Sequence, residues 1–235
     1  MNFSWEFVFD TSIYVIKAIP LTLFLTAFPV IVGLVIGFIF ALVKIKKIPV
    51  LTGLINIYNS FFRSIPLVVL LFLAYYGLPK IINFTSHGGQ RVVSAKDINN
   101  NVLAIVTLTL YSVAFLGEIV RGALSSVDFR QMEACHALGM TQLQAYIRII
   151  IPQAITVALP NYFNFVLALL KGTSVVFTIS VVDMMSAAKL QAEYGYRFVE
   201  AYVLVGFFYI VFSLVFSQLF VTIEKSAKRH MGVFN

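Results

Sequence analysis

An uncharged run of 26 residues, from Ala18 to Val43, lies between Lys17 and Lys44. A helix rises about 1.5 Å per residue, so roughly 20 apolar residues cross the ~30 Å hydrocarbon core of a bilayer. Only 11% of the side chains are charged and the mean hydropathy is +0.93, whereas soluble domains carry about 25% charged residues. The run and the composition together predict an integral membrane protein and exclude a sizeable soluble domain.

Five stretches of the 235-residue chain are long and apolar enough to cross a membrane as helices. The predicted fold class is therefore an all-α integral membrane protein with one transmembrane domain over residues 1–235. Its spans are predicted at about 18–43, 52–76, 98–120, 153–178 and 201–223. Gly33 and Gly37 form a Gly-x-x-x-Gly pair in the first span, a pattern that lets a neighbouring helix approach closely.

Basic residues are distributed unequally between the two ends of these spans. If the turn at Lys44–Lys47, Arg121, the segment 128–152 and the C-terminal residues share one side, that side holds nine basic residues and the other side holds six. Because Lys and Arg accumulate in cytoplasmic loops, the sequence predicts the N-terminus outside and the C-terminus inside. The net charge of +7 therefore reflects membrane orientation, and without a clustered basic patch we expect no nucleic-acid partner.

The segment from Glu133 to Pro152 is a polar interruption between two apolar runs. Ala134 and Ala137 are three residues apart and share a helix face. Gly139 can end a first short helix with a positive φ, and Pro152 is suited to the first turn of the next helix. The segment is consistent with a projecting helix that docks on another protein, and equally with an ordinary polar loop between two spans.

A series of motifs resembles the membrane subunits, or permeases, of bacterial ATP-binding-cassette (ABC) importers, specifically their polar amino acid branch. Glu-Ala-x-x-x-Leu-Gly at Glu133–Gly139, with Pro152 thirteen residues later, is similar to the family's "EAA" coupling loop. Further motifs agree in order along the chain: Phe62–Leu67, Gly117–Gly122, Pro152–Ala154, Ala158–Pro160 and Leu170–Ser174. The resemblance implies the type I (MetI-like) importer permease fold in a bacterial cytoplasmic membrane.

The resemblance also implies partners. Two permease subunits, identical or different, would form the pathway, an extracytoplasmic binding protein would deliver an amino acid, and two ATPase subunits would receive the coupling loop, 128–152. The residues expected to contact the ATPase are Glu133, Ala134, Ala137, Leu138 and Gly139. Since the chain has no Gly-x-x-x-x-Gly-Lys-Ser/Thr loop for phosphates, ATP-Mg is expected in the ATPase subunit, and no cofactor is expected on this chain.

Three charged residues fall inside or at the end of predicted spans: Arg63, Glu118 and Lys171. Charges at membrane depth are costly and usually face a cavity or a partner. Arg63 and Lys171 could bind a substrate carboxylate, and Glu118 could bind its ammonium group. Glu118 lies near the end of its span, however, so it could instead pair with Arg121 one turn later.

The fourth span carries polar residues on one helical face, at Asn161, Asn164, Lys171, Ser174 and Thr178. This stripe indicates either a lined pathway or hydrogen bonds between helices. The predicted substrate-binding residues are Arg63, Lys171, Ser60, Glu118, Asn164, Thr173 and Ser174.

The substrate class follows from departures from the family pattern. In the polar amino acid branch an acid often stands three residues before the motif Arg, and an Asp often follows the motif Lys. Here these positions are Ser60 and Gly172, so the resemblance disfavours a basic substrate. It favours L-cystine or another uncharged polar amino acid.

Other classes of function find less support. No His, Cys or Asp set has metal-ligand spacing, so no metal site is expected. No nucleophile and base converge, so the chain is not expected to be an enzyme. The competing function is an ATP-independent membrane channel or scaffold, which needs no docking helix.

Overall fold

The computed structural model describes residues 3–85, 94 and 97–230, and these form a helical bundle. Part of the polar loop predicted between the second and third spans therefore lies outside the described residues. The helices follow one another in this order: α1 (Trp5–Ile45), α2 (Pro49–Ser64), α3 (Leu67–Thr85), α4 (Asn100–Ser125), α5 (Phe129–Ala137), α6 (Gln142–Ala145), α7 (Ile151–Gly172), α8 (Met184–Gly195) and α9 (Phe198–His230).

Within the described residues, five helical segments are long and apolar enough to cross a membrane, as predicted. They are Trp5–Ile45, Leu67–Phe84, Asn100–Ser125, Gln142–Ile179 and Phe198–Ser226. The first segment extends 13 residues before the predicted start at residue 18. It begins at Trp5 because the Ser4 hydroxyl accepts a hydrogen bond from the Phe7 backbone amide and caps the helix.

The main core lies where α1 and α4 pack closely against α3 and α7. Its fully buried members include Leu25, Leu71, Leu108 and Leu116. Gly37 contacts α4 so closely that an added Cβ would lie 2.7 Å from the Gly117 backbone nitrogen. The predicted role of the Gly-x-x-x-Gly pair is therefore confirmed.

The second predicted span, 52–76, is not one helix. The chain leaves α2 at Ile65, whose backbone is extended (φ −96°, ψ 131°), and starts α3 at Leu67. Pro66 causes this break, since proline disfavours helical geometry at the preceding residue and provides no amide hydrogen. The spanning helix at this position is α3, and α2 is a separate amphipathic helix of 16 residues.

The fourth span begins earlier than Pro152. A capping box between Thr141 and Gln144 starts a helix at Gln142. The helix passes through a π-helical turn, Tyr146–Ile150, before α7. This wider turn lies just before Pro152, where the proline ring would otherwise clash with the carbonyl four residues earlier. Beyond Gly172 the chain tightens into a 3₁₀ segment, Thr173–Ile179.

A second, smaller core lies at the end of the bundle where α1 and α9 begin. Helix α8 packs between the first part of α1 and the first part of α9, burying Val15, Met184, Ala188, Ala201 and Val205. The segment 183–200, between the fourth and fifth predicted spans, is thus largely helical. Because this segment lies where α1 and α9 begin, α5 and α6 lie together at the other end of the bundle.

Candidate functional site

The break between α2 and α3 meets the junction between α7 and the 3₁₀ segment. A Cβ added to Gly172 would lie 3.2 Å from Leu67 Cδ2. Gly172 follows Lys171 directly and Leu67 follows Arg63 by four residues, so this contact joins the two segments that carry the predicted cations. The proline break thereby lets the start of α3 pack against the junction between α7 and the 3₁₀ segment.

Arg63 and Lys171 are both exposed and make no ion pair within the described residues. The Arg63 guanidinium lies 5.4 Å from the centroid of the Phe115 ring, which holds it by a cation–π contact. Phe115 in turn stacks on Phe165 of α7, with ring centroids 5.6 Å apart. The region therefore offers two cations without a carboxylate partner, which an anionic group could bind.

The polar stripe of α7 lies on its exposed face. Asn161, Asn164 and Lys171 are exposed, whereas Phe163 and Phe165 on other sides of the helix are 7% exposed. Ser60 on α2 is also exposed, and Ser174 is half-buried. Five of the seven predicted substrate residues, namely Arg63, Lys171, Ser60, Asn164 and Ser174, are thus at least partly accessible.

Thr173 does not belong to this accessible set. Its side chain is fully buried, and its hydroxyl donates a 2.8 Å hydrogen bond to the Leu170 carbonyl. In the 3₁₀ segment the residue faces the interior beside Tyr209 of α9. Helical spacing already indicates this orientation, because Thr173 stands three and four residues after the buried Leu170 and Leu169 and two residues after Lys171, away from the stripe.

Glu118 is engaged elsewhere in the bundle. Its carboxylate forms ion pairs with Lys44 of α1 and, at 2.8 Å, with Arg121 of α4. It also accepts a 2.8 Å hydrogen bond from the Asn59 amide of α2. The expected alternative, pairing with Arg121, is therefore observed, while Lys44 and Asn59 are additional partners that sequence reasoning missed. Their separations of 74 and 59 residues from Glu118 leave no local signal.

The predicted docking segment forms a short helix with one attached and one exposed side. Asp128 caps α5 by accepting from the Arg130 amide, and Gly139 follows the helix with φ +76°. The two predicted short helices and the positive φ are confirmed. Cys135 is buried against the bundle, and paired amide hydrogen bonds of 3.0 and 2.6 Å join Gln131 to Gln153 of α7.

The exposed side of α5 carries all five predicted docking residues. Glu133, Ala134, Ala137 and Gly139 are exposed, and Leu138 has 82% of its surface accessible. A leucine this accessible beside two alanines is an apolar patch that a partner could cover. The attachment of α5 to α7 through Gln131 would pass a force on this patch directly to the fourth span.

Sequence reasoning missed one buried acid, Asp183. It is fully buried, and its Oδ1 atom caps α8 by accepting a 2.9 Å hydrogen bond from the Ser186 amide. Its Oδ2 atom lies beside the Tyr209 hydroxyl, and no hydrogen bond of ordinary geometry joins them. Burial raises the pKa of Asp183 to about 6, although the hydrogen bonds oppose this shift.

Comparison with known proteins shows close relatives over almost the whole chain. The probable amino-acid permease YxeN of Bacillus subtilis is 41% identical over 215 residues, which cover 92% of each protein. The L-cystine transport system permease TcyL of the same organism is 31% identical over 230 residues, covering 98% of this chain and 92% of TcyL. Other relatives are named for octopine, nopaline or arginine transport.

Solved structures share the fold. An amino acid ABC transporter crystallised with histidines matches with a TM-score of 0.84 and 29% identity, covering 96% of this chain and 100% of that chain. The inward-facing MetNI methionine ABC transporter matches with a TM-score of 0.68 and 18% identity, covering 91% and 96%. The all-α, five-span type I importer fold expected from the sequence is confirmed.

Residues 33–229 match the family described as binding-protein-dependent transport system inner membrane components. The match covers most of the chain, and the relatives are permeases rather than enzymes. The exposed residues at the end of α5 and the five membrane-length helices agree with this assignment. The chain therefore belongs to the binding-protein-dependent inner membrane components, the permeases of ABC importers.

Proposed function

We propose that this chain is the permease subunit of an importer that takes up an uncharged polar amino acid, with L-cystine the first candidate. The observation that carries the proposal is the pair of exposed cations, Arg63 and Lys171, on the two segments that the contact between Leu67 and Gly172 joins. Two cations without a carboxylate partner suit the carboxylate that every amino acid carries.

The uncharged side chain of the substrate is inferred from the same region. Ser60 and Gly172 provide no acid for a basic side chain, and the accessible polar groups of the stripe include the exposed amide of Asn164 and the half-buried hydroxyl of Ser174. The 31% identical relative named for L-cystine supports the candidate. Glu118 and Thr173 keep structural roles in this proposal, because each is already engaged or buried within the bundle.

The accessible stripe of α7 needs a partner to become a pathway. A second permease subunit, identical or different, would enclose Asn161, Asn164 and Lys171 between the two copies, since polar groups at membrane depth avoid lipid. An extracytoplasmic binding protein would deliver the amino acid at the end that carries α8. The N-terminus would then lie outside the cell and the C-terminus inside.

Transport would be driven through α5. Two ATPase subunits, which hold the ATP-Mg, would cover the exposed patch at Ala134, Ala137 and Leu138. Closure of the ATPase pair on ATP would displace α5, and the Gln131–Gln153 contact would transmit the displacement to α7. The pathway would thereby alternate between outward and inward access.

The decisive experiment measures ATP hydrolysis by the chain reconstituted in liposomes with the ATPase and the binding protein encoded beside it. Cystine, glutamine, histidine, arginine and glutamate are added one at a time. Stimulation by cystine or glutamine, and not by arginine, is expected. Stimulation by arginine alone would contradict the uncharged substrate, and the absence of any ATPase association would favour an ATP-independent channel.

Lys171→Ala tests the carboxylate site within the same system. Loss of a charged hydrogen bond costs about 1.5–3 kcal/mol, so the substrate concentration for half-maximal stimulation is expected to rise roughly tenfold to a hundredfold. Lys80→Ala is the matched control, because Lys80 is an exposed lysine in the last turns of α3. Equal behaviour of the two variants would remove Lys171 from the site.

A further inference from the structure

An apolar groove of about 720 Å³ lies between four of the membrane-length helices. It is separate from the polar stripe of α7, and its lining belongs to α1, α4, α7 and α9. Several lining side chains are open to the surroundings, with Val35 60%, Ile39 54% and Ile155 43% exposed. The groove is thus a concave apolar surface that none of the described residues fills.

The groove lies at the end of the bundle that carries α5. Ile39 is close to the end of α1 at Ile45, and Leu124 is next to the last residue of α4. Ile151 and Ile155 belong to the first turns of α7, directly after the π-helical turn. An apolar segment entering the groove from this end would run along the helices toward the middle of the bundle.

Two exposed cations stand where this groove ends. Lys46 follows Ile39 by seven residues, or two turns, and therefore lies on the same side of α1. Arg148 precedes Ile151 by three residues in the π-helical turn, about one turn beyond the groove. Within the described residues neither Lys46 nor Arg148 forms an ion pair. The groove thus has an apolar lining, with two cations next to one of its ends.

We propose that this groove binds an anionic phospholipid, with one acyl chain along α1 and α7 and its phosphate between Lys46 and Arg148. The apolar lining matches an acyl chain, and Lys and Arg next to a membrane span attract anionic headgroups. A second copy of the chain is a poorer occupant. A two-fold interface pairs this patch with the same patch of the other copy, which would bring four cations, two Lys46 and two Arg148, into one interface.

The test uses the permease purified with its ATPase subunits in a mild detergent. Phosphatidylglycerol or phosphatidylcholine with identical acyl chains is titrated in, and native mass spectrometry counts the lipids retained. Phosphatidylglycerol is expected to be retained at a concentration roughly tenfold lower than phosphatidylcholine, given two basic contacts. The double variant Lys46→Ala, Arg148→Ala is expected to lose this preference.

Two further variants separate the headgroup from the acyl chain. Lys17→Ala with Lys80→Ala removes the same charge from exposed lysines outside the groove, and it is expected to keep the preference. Ala158→Phe places a larger side chain on the groove wall and is expected to reduce retention of both lipids. If the control variant loses the preference for phosphatidylglycerol as fully as the Lys46 and Arg148 variant does, the preference comes from general charge attraction and not from a site. That result would overturn the proposal.

A disulfide cross-link tests whether a second copy of the chain occupies the groove. Val35→Cys is introduced together with Cys135→Ser, which removes the one native cysteine, and the complex is oxidised in liposomes. The expected result is no disulfide between subunits, because lipid fills the groove. A rapid cross-link through position 35 would assign the groove to the subunit interface and overturn the lipid proposal, whatever amino acid the importer carries.

Discussion

At the scale of single residues, Glu118 shows how one carboxylate joins three helices. Its oxygens contact Lys44 of α1, Asn59 of α2 and Arg121 of α4. A carboxylate this far inside the bundle would be costly if left unpaired, and two cations compensate it here. The cluster lies where α4 leads into the coupling segment, so it holds the helices around α5 in a defined arrangement.

Asp183 is the opposite case, a buried carboxyl without a cation among the groups that shift its pKa. Its pKa in the folded protein is raised to about 6 from an ordinary value of 3.8. Below about pH 4 both the folded and unfolded states are protonated. As the pH rises from 4 to 6 the unfolded state loses this proton first, so the stability of the fold falls over that window.

Replacing Asp183 by Asn should therefore remove the pH dependence of folding stability that this carboxyl causes. The difference between the two pKa values corresponds to about 3 kcal/mol of lost stability above pH 6, while asparagine caps a helix about as well as aspartate. Thermal unfolding in detergent is expected to show the wild type less stable at pH 8 than at pH 5, and Asp183→Asn equally stable at both. An equal pH response in both proteins would rule out Asp183 as the group responsible.

At the scale of helices, close packing of α1 on α4 depends on a missing side chain. A Cβ at Gly37 would lie 2.7 Å from a backbone nitrogen that cannot move aside. Gly37→Ala is thus expected to destabilise the protein by about 1–3 kcal/mol. Gly206→Ala is the matched control on a membrane-length helix, because a Cβ there has no neighbour within 4 Å. Thermal unfolding of the two variants in the same detergent gives the comparison.

The turn after α5 makes a second prediction at this scale. Gly139 has φ +76°, whereas proline is restricted to about −65°, so Gly139→Pro should displace the exposed patch. We expect ATP hydrolysis to continue without amino acid uptake in proteoliposomes. Gly139→Asn serves as the control, since asparagine tolerates a positive φ. Uptake by Gly139→Pro at the wild-type rate would argue against a coupling role for this turn.

At the scale of the whole molecule, two surfaces that are both exposed in the single chain should meet different surroundings. Asn164 on α7 and Val203 on α9 are both exposed in the single chain. In the proposed assembly Asn164 lines an aqueous pathway and Val203 faces lipid.

Cysteine substitution distinguishes the two environments. In a Cys135→Ser background, Asn164→Cys is expected to react quickly with a water-soluble, membrane-impermeant thiol reagent in proteoliposomes. Val203→Cys is expected to react at least tenfold more slowly, because a thiolate does not form readily in an apolar environment. Equal rates at the two positions would contradict a pathway along α7.

Much of this molecule follows from sequence alone, for reasons of solvent and local geometry. Membrane-length apolar runs must become helices because lipid offers no hydrogen-bond partners, and the positive φ after α5 follows from Gly139. The Gly33–Gly37 pair likewise indicates a close helix contact before its partner is known. These properties depend on residues that are near one another in the chain.

The tertiary structure decided what depends on residues far apart. The helix break at Pro66, which divides the predicted span 52–76, is not of this kind, because proline acts on its immediate neighbour in the chain. Lys44 and Asn59 reach Glu118 across 74 and 59 residues, a separation that no periodicity records. Packing also brought Leu67 against Gly172 and left the groove between four helices, because side-chain volume and helix crossing, rather than local pattern, decide which faces meet.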